Sequence, residues 1–410
     1  MRFLFTTSNW RGNYFCMVPL GWALQAAGHQ VRVACPPEQA DAIAHAGLVP
    51  VPVLEGLDVM RLERMARYSE ALAGEHPLLP LHPVTGRPVS RLDEFDPEAA
   101  WPPFWEQTLA SMRRSCDNAV GFAREYRPDL VVWDLMSEEG ALAAAVTGVP
   151  AVFHPPGMYG TVEIVDGEDM SPGDPSGSFP RHGLGRWGRG DIGYVLDPSP
   201  PSVHPPVGDA LRLPVRYVPY NGPGAMPDWV LDRPRRPRVS LIWGNAATAM
   251  YGTQVPALRY AIDAALAAGA EVVLTAGAAQ VEALGTLPDR VRVLRDFPIH
   301  LLLPTSDVII HQGSANGLMP AAAAGVPQLS LALSVDQVLP SERLARTGAV
   351  VTLRGLTAGP AEIRSAVEAL LTDPRYAAAA DRVRAEMAAQ PSPAQLVATL
   401  ERLAGHLIPV

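Results

Sequence analysis

A chain of 410 residues with 48% hydrophobic content exceeds what one core usually organises, so two domains are expected. Its net charge of −9, without a basic block, argues against nucleic acid or an anionic membrane surface as a partner. Cys16, Cys35 and Cys116 lie far apart, form neither a disulfide framework nor a metal spacing, and read as core thiols of a reducing cytoplasm.

The opening MRFLFTTSNW is too short and too quickly polar for a signal peptide, and no apolar run reaches membrane-spanning length, so the cytosol is the expected location. Residues 2–6 read as a strand and 8–15 as the loop after it. Residues 18–27 have helical spacing, stop at Gly28 and precede a strand at 31–35, which together make a βαβ unit. An insertion over about residues 57–124 holds helical stretches at 60–72 and 104–122 and a Pro-rich loop. After it, Asp129-Leu-Val-Val reads as a strand ahead of Gly148-Val-Pro. A second insertion, 155–194, is rich in Gly, Ser and Pro and reads as a long flexible loop. The Pro-rich, aperiodic stretch 206–236 marks a connection between domains.

The same grammar then returns. Val239-Ser-Leu-Ile-Trp243 is a strand, and Leu266-Ala-Ala-Gly269 before Glu271-Val-Val-Leu repeats Leu24-Gln-Ala-Ala-Gly28 before residues 30–35. Asp307-Val-Ile-Ile ahead of Gly325-Val-Pro repeats Asp129-Leu-Val-Val ahead of Gly148-Val-Pro at nearly the same spacing. The fold class expected is therefore α/β, with two doubly wound Rossmann-like domains in tandem, 1–205 and 237–391, and a helical tail at 392–410. Helices are also expected at 361–371 and 374–389.

The densest pattern lies at 307–337. A buried strand ends at His311, Gln312-Gly-Ser-Ala-Asn-Gly makes a small-residue turn, and an Ala-rich helix stops at Gly325 with Pro327 beyond it. At such a turn unpaired backbone N–H groups and the positive end of the helix dipole converge, and Gly313 and Gly317 let an anion approach. Asp336-Gln337, just after the next apolar run, is able to grip hydroxyl groups.

His311-x-Gly313 through Ala-Ala-Gly325-Val-Pro-Gln328, followed by Asp336-Gln337, resembles the donor-site signature of glycosyltransferases of the two-domain GT-B fold, in the branch that decorates bacterial polyketides. Val18-Pro19-Leu20-Gly-Trp22-Ala-Leu24 with Ala-Ala-Gly28-His29, Arg127-Pro-Asp-Leu-Val-Val-Trp-Asp134 and Tyr217-Val-Pro-Tyr-Asn-Gly-Pro223 resemble the same enzymes, so the likeness covers nearly the whole chain. It implies two domains facing a central cleft, with a C-terminal tail that crosses back to the first. The implied co-substrate is a thymidine or uridine diphosphate sugar, held by His311, Gly313, Ser314, Ala315, Asn316 and Gly317 at the diphosphate and by Asp336 and Gln337 at the sugar. Gly244, Asn245, Phe297 and Pro298 complete the donor set, Asp296 standing where the family usually has an aromatic residue. The first half, with its insertions, is expected to take the acceptor, through Trp10, Asn13, Tyr14, His154 and Met158.

No Asp-x-Asp occurs, and no metal or other cofactor is expected, so protein donors at the His311 turn must neutralise the leaving diphosphate. Counting back from Val18-Pro-Leu, the family's Gly-His pair falls on Gly12-Asn13, and an Asn amide cannot accept a proton. Asp134, at the end of its strand, is the leading substitute base, with Asn13 orienting the acceptor and His154 and Glu138 in reserve. An Asp after a buried strand also serves as a helix N-cap, and that use stays open. His29 and His45 read as surface or helix-end residues. The expected reaction is inverting transfer of a deoxyhexose to an aromatic or macrolide polyketide, through oxygen or carbon, by a monomer or a homodimer. A catalytically impaired paralogue that assists another transferase stays open because of Asn13, as does a sugar-nucleotide epimerase of the same fold.

Overall fold

The computed structural model describes residues 1–165, 168–232, 234–295 and 297–405; Asp296, singled out above, lies outside them. The chain packs as two compact units. Unit one comprises residues 1–57, 106–223 and 385–410, and unit two residues 58–105 and 224–384.

Unit one is built on β1 (Arg2–Thr6), β2 (Gln30–Ala34), β3 (Pro50–Val51), β4 (Leu130–Trp133) and β5 (Ala151–Phe153). A short antiparallel hairpin follows, β6 (Ile164–Val165) with β7 (Glu168–Asp169), and then β8 (Tyr194–Asp197) and β9 (Leu211–Pro214). The main sheet is parallel, in the order β3-β2-β1-β4-β5-β8-β9. Unit two contains β10 (Arg238–Trp243), β11 (Glu271–Ala276), β12 (Val291–Leu294), β13 (Val308–His311), β14 (Gln328–Ala332) and β15 (Val350–Arg354), parallel in the order β12-β11-β10-β13-β14-β15. In both sheets the order reverses beside the first strand, between β1 and β4 and between β10 and β13. Such a reversal opens a crevice at the carboxyl ends of the strands.

The duplication extends to single hydrogen bonds. Asp129 accepts from the Arg2 N–H at 2.7 Å and Asp307 from the Arg238 N–H at 2.7 Å, each carboxylate locking the start of a central strand pair. Buried on both faces, β4 is apolar throughout and β13 as far as His311, as parallel strands under helices must be. The helices end alike: Gly148 and Gly325 have φ of +70° and +73°, a left-handed turn that a β-carbon disfavours.

Three departures from the expected organisation have packing causes. Residues 58–105, assigned from sequence to the first half, pack in unit two. The helix expected at 104–122 begins earlier and runs Pro97–Tyr126. The stretch 155–194 is not a loose loop: Phe179 and Trp187 stack at 4.7 Å, Trp187 meets Trp133 at the end of β4, and Asp174 accepts from the Ser178 and Phe179 N–H groups. Among the described residues no helix is long and apolar enough to cross a membrane.

The tail belongs to unit one. Its helix Pro393–Ala404 starts with a reciprocal cap, Ser392 with Gln395, and buries Leu396, Val397, Leu400 and Leu403 in the same cluster as Phe3, Phe5, Leu24 and Val132. Leu400 is fully buried. Leu400→Ala should therefore lower unfolding free energy by about 2–5 kcal/mol in a denaturant titration; an unchanged midpoint would show that the tail is not part of this core.

Candidate active site

In unit two the crevice between β10 and β13 is closed at its base by Gln312, the first residue after β13. With its amide oriented to satisfy both groups, Nε2 donates to the Ile242 carbonyl at 2.9 Å and Oε1 accepts from the Gly244 N–H at 3.2 Å. Gly313 then turns the chain with φ +83°. A β-carbon there would lie 2.9 Å from the Ser330 and Ser341 hydroxyls and 3.0 Å from the Gln337 carbonyl, so only glycine lets the turn sit this deep. Ser314 precedes the helix Ala315–Ala324 without capping it through its side chain, and the Gly317 and Leu318 N–H groups bond back to the Ser314 carbonyl. By helix geometry the Ala315 and Asn316 N–H groups have no intrahelical acceptor. Two adjacent donors at the positive end of a ten-residue helix are an arrangement able to seat an anion.

His311 takes a different part from the one expected of it. Its ring is fully buried; Nδ1 accepts from the Gly313 N–H at 2.9 Å, so the proton sits on Nε2, which donates to Gln328 Oε1 at 2.9 Å. Burial pulls its pKa down to about 4, against the Gln328 hydrogen bond, and the ring is neutral at pH 7. With both nitrogens committed, His311 shapes the turn from behind instead of offering a donor from it. Gly317 completes the fit, since a β-carbon there would come within 2.8 Å of the His311 ring.

Asp336 and Gln337 lie in the first turn of the helix Val335–Ala345, Asp336 exposed and Gln337 half-buried. Gln337 Oε1 accepts from the Leu333 N–H at 3.0 Å, and its carbonyl accepts from the Ser341 hydroxyl at 2.7 Å, which in turn bonds Ser330. Asn245 begins the short helix after Gly244, close against Gly277. Phe297 and Pro298 do not present a stacking face: both are buried, Phe297 in a cluster with Val230, Val273 and Leu302.

Unit one carries the equivalent crevice between β1 and β4. Asp134, fully buried, follows β4; its Oδ2 accepts from the Ser8 N–H at 2.7 Å and the Ser8 hydroxyl at 2.8 Å, and its Oδ1 from the Met136 N–H at 2.8 Å. It ties the two strand ends together as Gln312 does in unit two, and it is not the N-cap of the helix Glu139–Thr147, a place taken by Glu138. Burial raises the Asp134 pKa to about 7, and the three hydrogen bonds oppose that rise. Burial and the mutual repulsion of neighbouring carboxyls also raise Glu138.

Asn13 is 7% exposed, and its Nδ2 has no partner among the described residues. Its carbonyl accepts from the Cys16 thiol at 3.2 Å, and His154 Nδ1 lies 3.8 Å from the same sulfur and 3.1 Å from the Pro155 carbonyl. Burial drives His154 down to about 4. Trp10 is half-buried. Tyr14 and Met158, expected at the acceptor, are core residues instead: Tyr14 is 1% exposed with its hydroxyl on Gln39, and Met158 is fully buried with its N–H on Ser199. Ser8 and Ser341 escaped the sequence reasoning, and Gln328 entered it only as the end of the motif, with no part assigned to it. Among the described residues no three His, Cys, Asp or Glu side chains gather as a metal site.

Residues 259–403 match the family described as "Erythromycin biosynthesis protein CIII-like, C-terminal domain", and residues 22–76 and 105–244 match its N-terminal counterpart. The chain is 34% identical to 10-deoxymethynolide desosaminyltransferase of Streptomyces venezuelae, over 99% of this chain and 98% of that one. Among solved structures it is similar to spinosyn forosaminyltransferase, with a TM-score of 0.76, 30% identity and 99% of each chain covered. Spinosyn rhamnosyltransferase complexed with thymidine diphosphate has a TM-score of 0.73 at 28% identity, over 98% of this chain and 100% of that one.

The packing at Gly313 yields a direct test. Gly313→Ala should lower the stability of the folded chain by about 1–3 kcal/mol, because a methyl group must displace Ser330, Ser341 or the backbone while sitting at a strained φ. Thermal unfolding measures it, and an unshifted midpoint would mean that the turn is loosely packed.

Proposed function

The chain belongs to the erythromycin biosynthesis protein CIII-like glycosyltransferases, and from that premise we propose that it transfers a deoxyhexose from thymidine or uridine diphosphate to a polyketide aglycone, with inversion at the sugar carbon. The observation that carries the proposal is the pair of built crevices. One ends in an anion seat beside Asp336 and Gln337, and the other in a buried carboxylate whose pKa lies near neutrality. A relative solved with thymidine diphosphate supports the choice of nucleotide.

On the donor side, the Ala315 and Asn316 N–H groups take the charge that develops on the leaving diphosphate, and His311 keeps them in place through Gly313. Asp336 and Gln337 Nε2 hold the sugar hydroxyls. No metal enters this scheme. On the acceptor side, Asn13, with 7% of its surface exposed, orients the acceptor by hydrogen bonding. The acceptor's proton passes to Asp134 by way of the Ser8 hydroxyl, because Asp134 itself is sealed from solvent. The nucleophile forms its bond to the anomeric carbon as the bond to the phosphate oxygen breaks, and that electron pair leaves with the diphosphate. A phenol suits this base: its pKa near 10 falls further where its anion is stabilised, and its ortho carbon then becomes an alternative nucleophile, so a C-glycosidic product belongs to the same scheme.

Asn13 favours one competing reading, an impaired paralogue that binds ligands and assists a partner transferase. Incubation with a thymidine diphosphate sugar and a panel of phenolic and macrolactone acceptors, followed by mass spectrometry, separates the two. A mass increase of one sugar is expected; no product from any pair would favour the paralogue.

Because Asp134 acts only when ionised, turnover should rise about tenfold per pH unit below pH 7 and level off above it. Asp134→Asn should lower turnover by roughly 10²–10⁴-fold and remove that limb, with thymidine diphosphate affinity intact. Asn13→His should restore part of the transfer to oxygen. Near-normal turnover in Asp134→Asn would exclude it as the base.

A further inference from the structure

Residues 58–105 interrupt unit one yet pack in unit two, and the place where they pack is specific. Their helix, Val59–Leu72, is capped by Asp58, whose Oδ1 accepts from the Arg61 N–H at 3.0 Å, and it lies against the helix Asn245–Tyr251 that follows β10. Beyond it, the His76 ring stacks on Tyr251 with 6.2 Å between ring centres and 12° between planes. The Leu79 carbonyl accepts from Gln254 Nε2 at 2.9 Å, and Leu81 closes over Gly252, where a β-carbon would come within 3.2 Å of it. The segment thus holds the end of that helix at consecutive points.

Tyr251 passes this contact inward. It is 3% exposed, and its hydroxyl donates to the Leu333 carbonyl at 3.1 Å. Leu333 is where the chain leaves β14 for the turn carrying Asp336 and Gln337, and its own N–H holds Gln337 Oε1 at 3.0 Å. One ring stack and two hydrogen bonds therefore connect the segment to the pair assigned to the sugar. From the helix Val59–Leu72, Glu63 and Arg67, 3.9 Å apart, face the same region: burial and then the charge of Asp336 raise the Glu63 carboxyl.

We propose that residues 58–105 are a working part of the donor-sugar site, with His76 and Tyr251 as positioning residues that set the Asp336–Gln337 turn. The diphosphate seat on β13 does not depend on them. The inference rests on the reading of unit two as the donor side. It makes sugar recognition a property of a segment encoded in the first quarter of the chain, whereas nucleotide recognition stays with residues 224–384.

Calorimetry on the full chain with thymidine diphosphate and with thymidine diphosphate glucose tests it. For Tyr251→Phe and His76→Ala, affinity for thymidine diphosphate should stay within about twofold of the native chain. The additional affinity contributed by the glucose should fall about tenfold, the change expected for one hydrogen bond in a buried chain of them. His76→Phe keeps the ring stack and should keep the native values. An equal loss for both ligands would overturn the inference in favour of a general structural role, and so would no loss for either. His76, only half-buried, serves should Tyr251→Phe fail to fold. If the native chain binds neither ligand, the donor reading itself falls and takes this inference with it.

Discussion

Each unit depends on a pair of neighbouring parallel strands whose following connections depart to opposite sides. At the reversal the carboxyl ends of the strands are left with polar backbone that no helix covers, and a side chain must bridge them. In unit one Asp134 binds the backbone and hydroxyl of Ser8; in unit two Gln312 binds Ile242 and Gly244. At the opposite end of each pair a carboxylate, Asp129 or Asp307, accepts from the first N–H of the neighbouring strand. The groups assigned to chemistry thus sit where the sheets are held at both ends, and they inherit their precision from backbone geometry instead of from loops.

The two bridges differ in what burial does to them. An amide such as Gln312 satisfies donor and acceptor without charge. A carboxylate in the same position must be desolvated, and three hydrogen bonds bring its pKa down only as far as about 7. Of the two bridges, the one that burial leaves in reach of proton transfer is therefore that of unit one. In unit two burial has the reverse effect on His311, which becomes a neutral ring with a fixed tautomer, suited to ordering a turn. The same desolvation brings the carboxyl of one residue to about neutral and fixes the ring of the other as a strut.

Much of this was legible in the sequence, because it is written in local signals. Glycines at left-handed helix ends, apolar strands beginning with Asp, and the repeated Gly-Val-Pro located both sheets and the His311 turn. What was not legible depends on partners remote in the chain. Tyr14 and Phe297 look like ligand-stacking rings, yet Gln39 and the cluster around Val230 draw them into cores. Met158 sits in the left-handed region at φ +62°, a conformation no motif announces, and its neighbour Ser199 is needed to explain it. The destination of residues 58–105 is invisible for the same reason: their anchor, Tyr251, lies far downstream and carries no mark in its own sequence context.

The order in which the segments occur has a consequence for how the chain is made. Unit one is left at residue 57, resumed at 106, left again at 223 and completed only from 385 onward. Its core includes Leu396, Val397, Leu400 and Leu403, synthesised after every strand of both sheets. Unit two, conversely, begins with residues made before most of unit one exists. Unit one cannot be completed before residues 385 onward, and its core must wait for contacts of very long sequence separation, which slow folding and keep apolar strands exposed, whereas the six strands of unit two all lie within residues 238–354. The helix Pro393–Ala404 then acts as a clasp whose arrival completes the core of unit one.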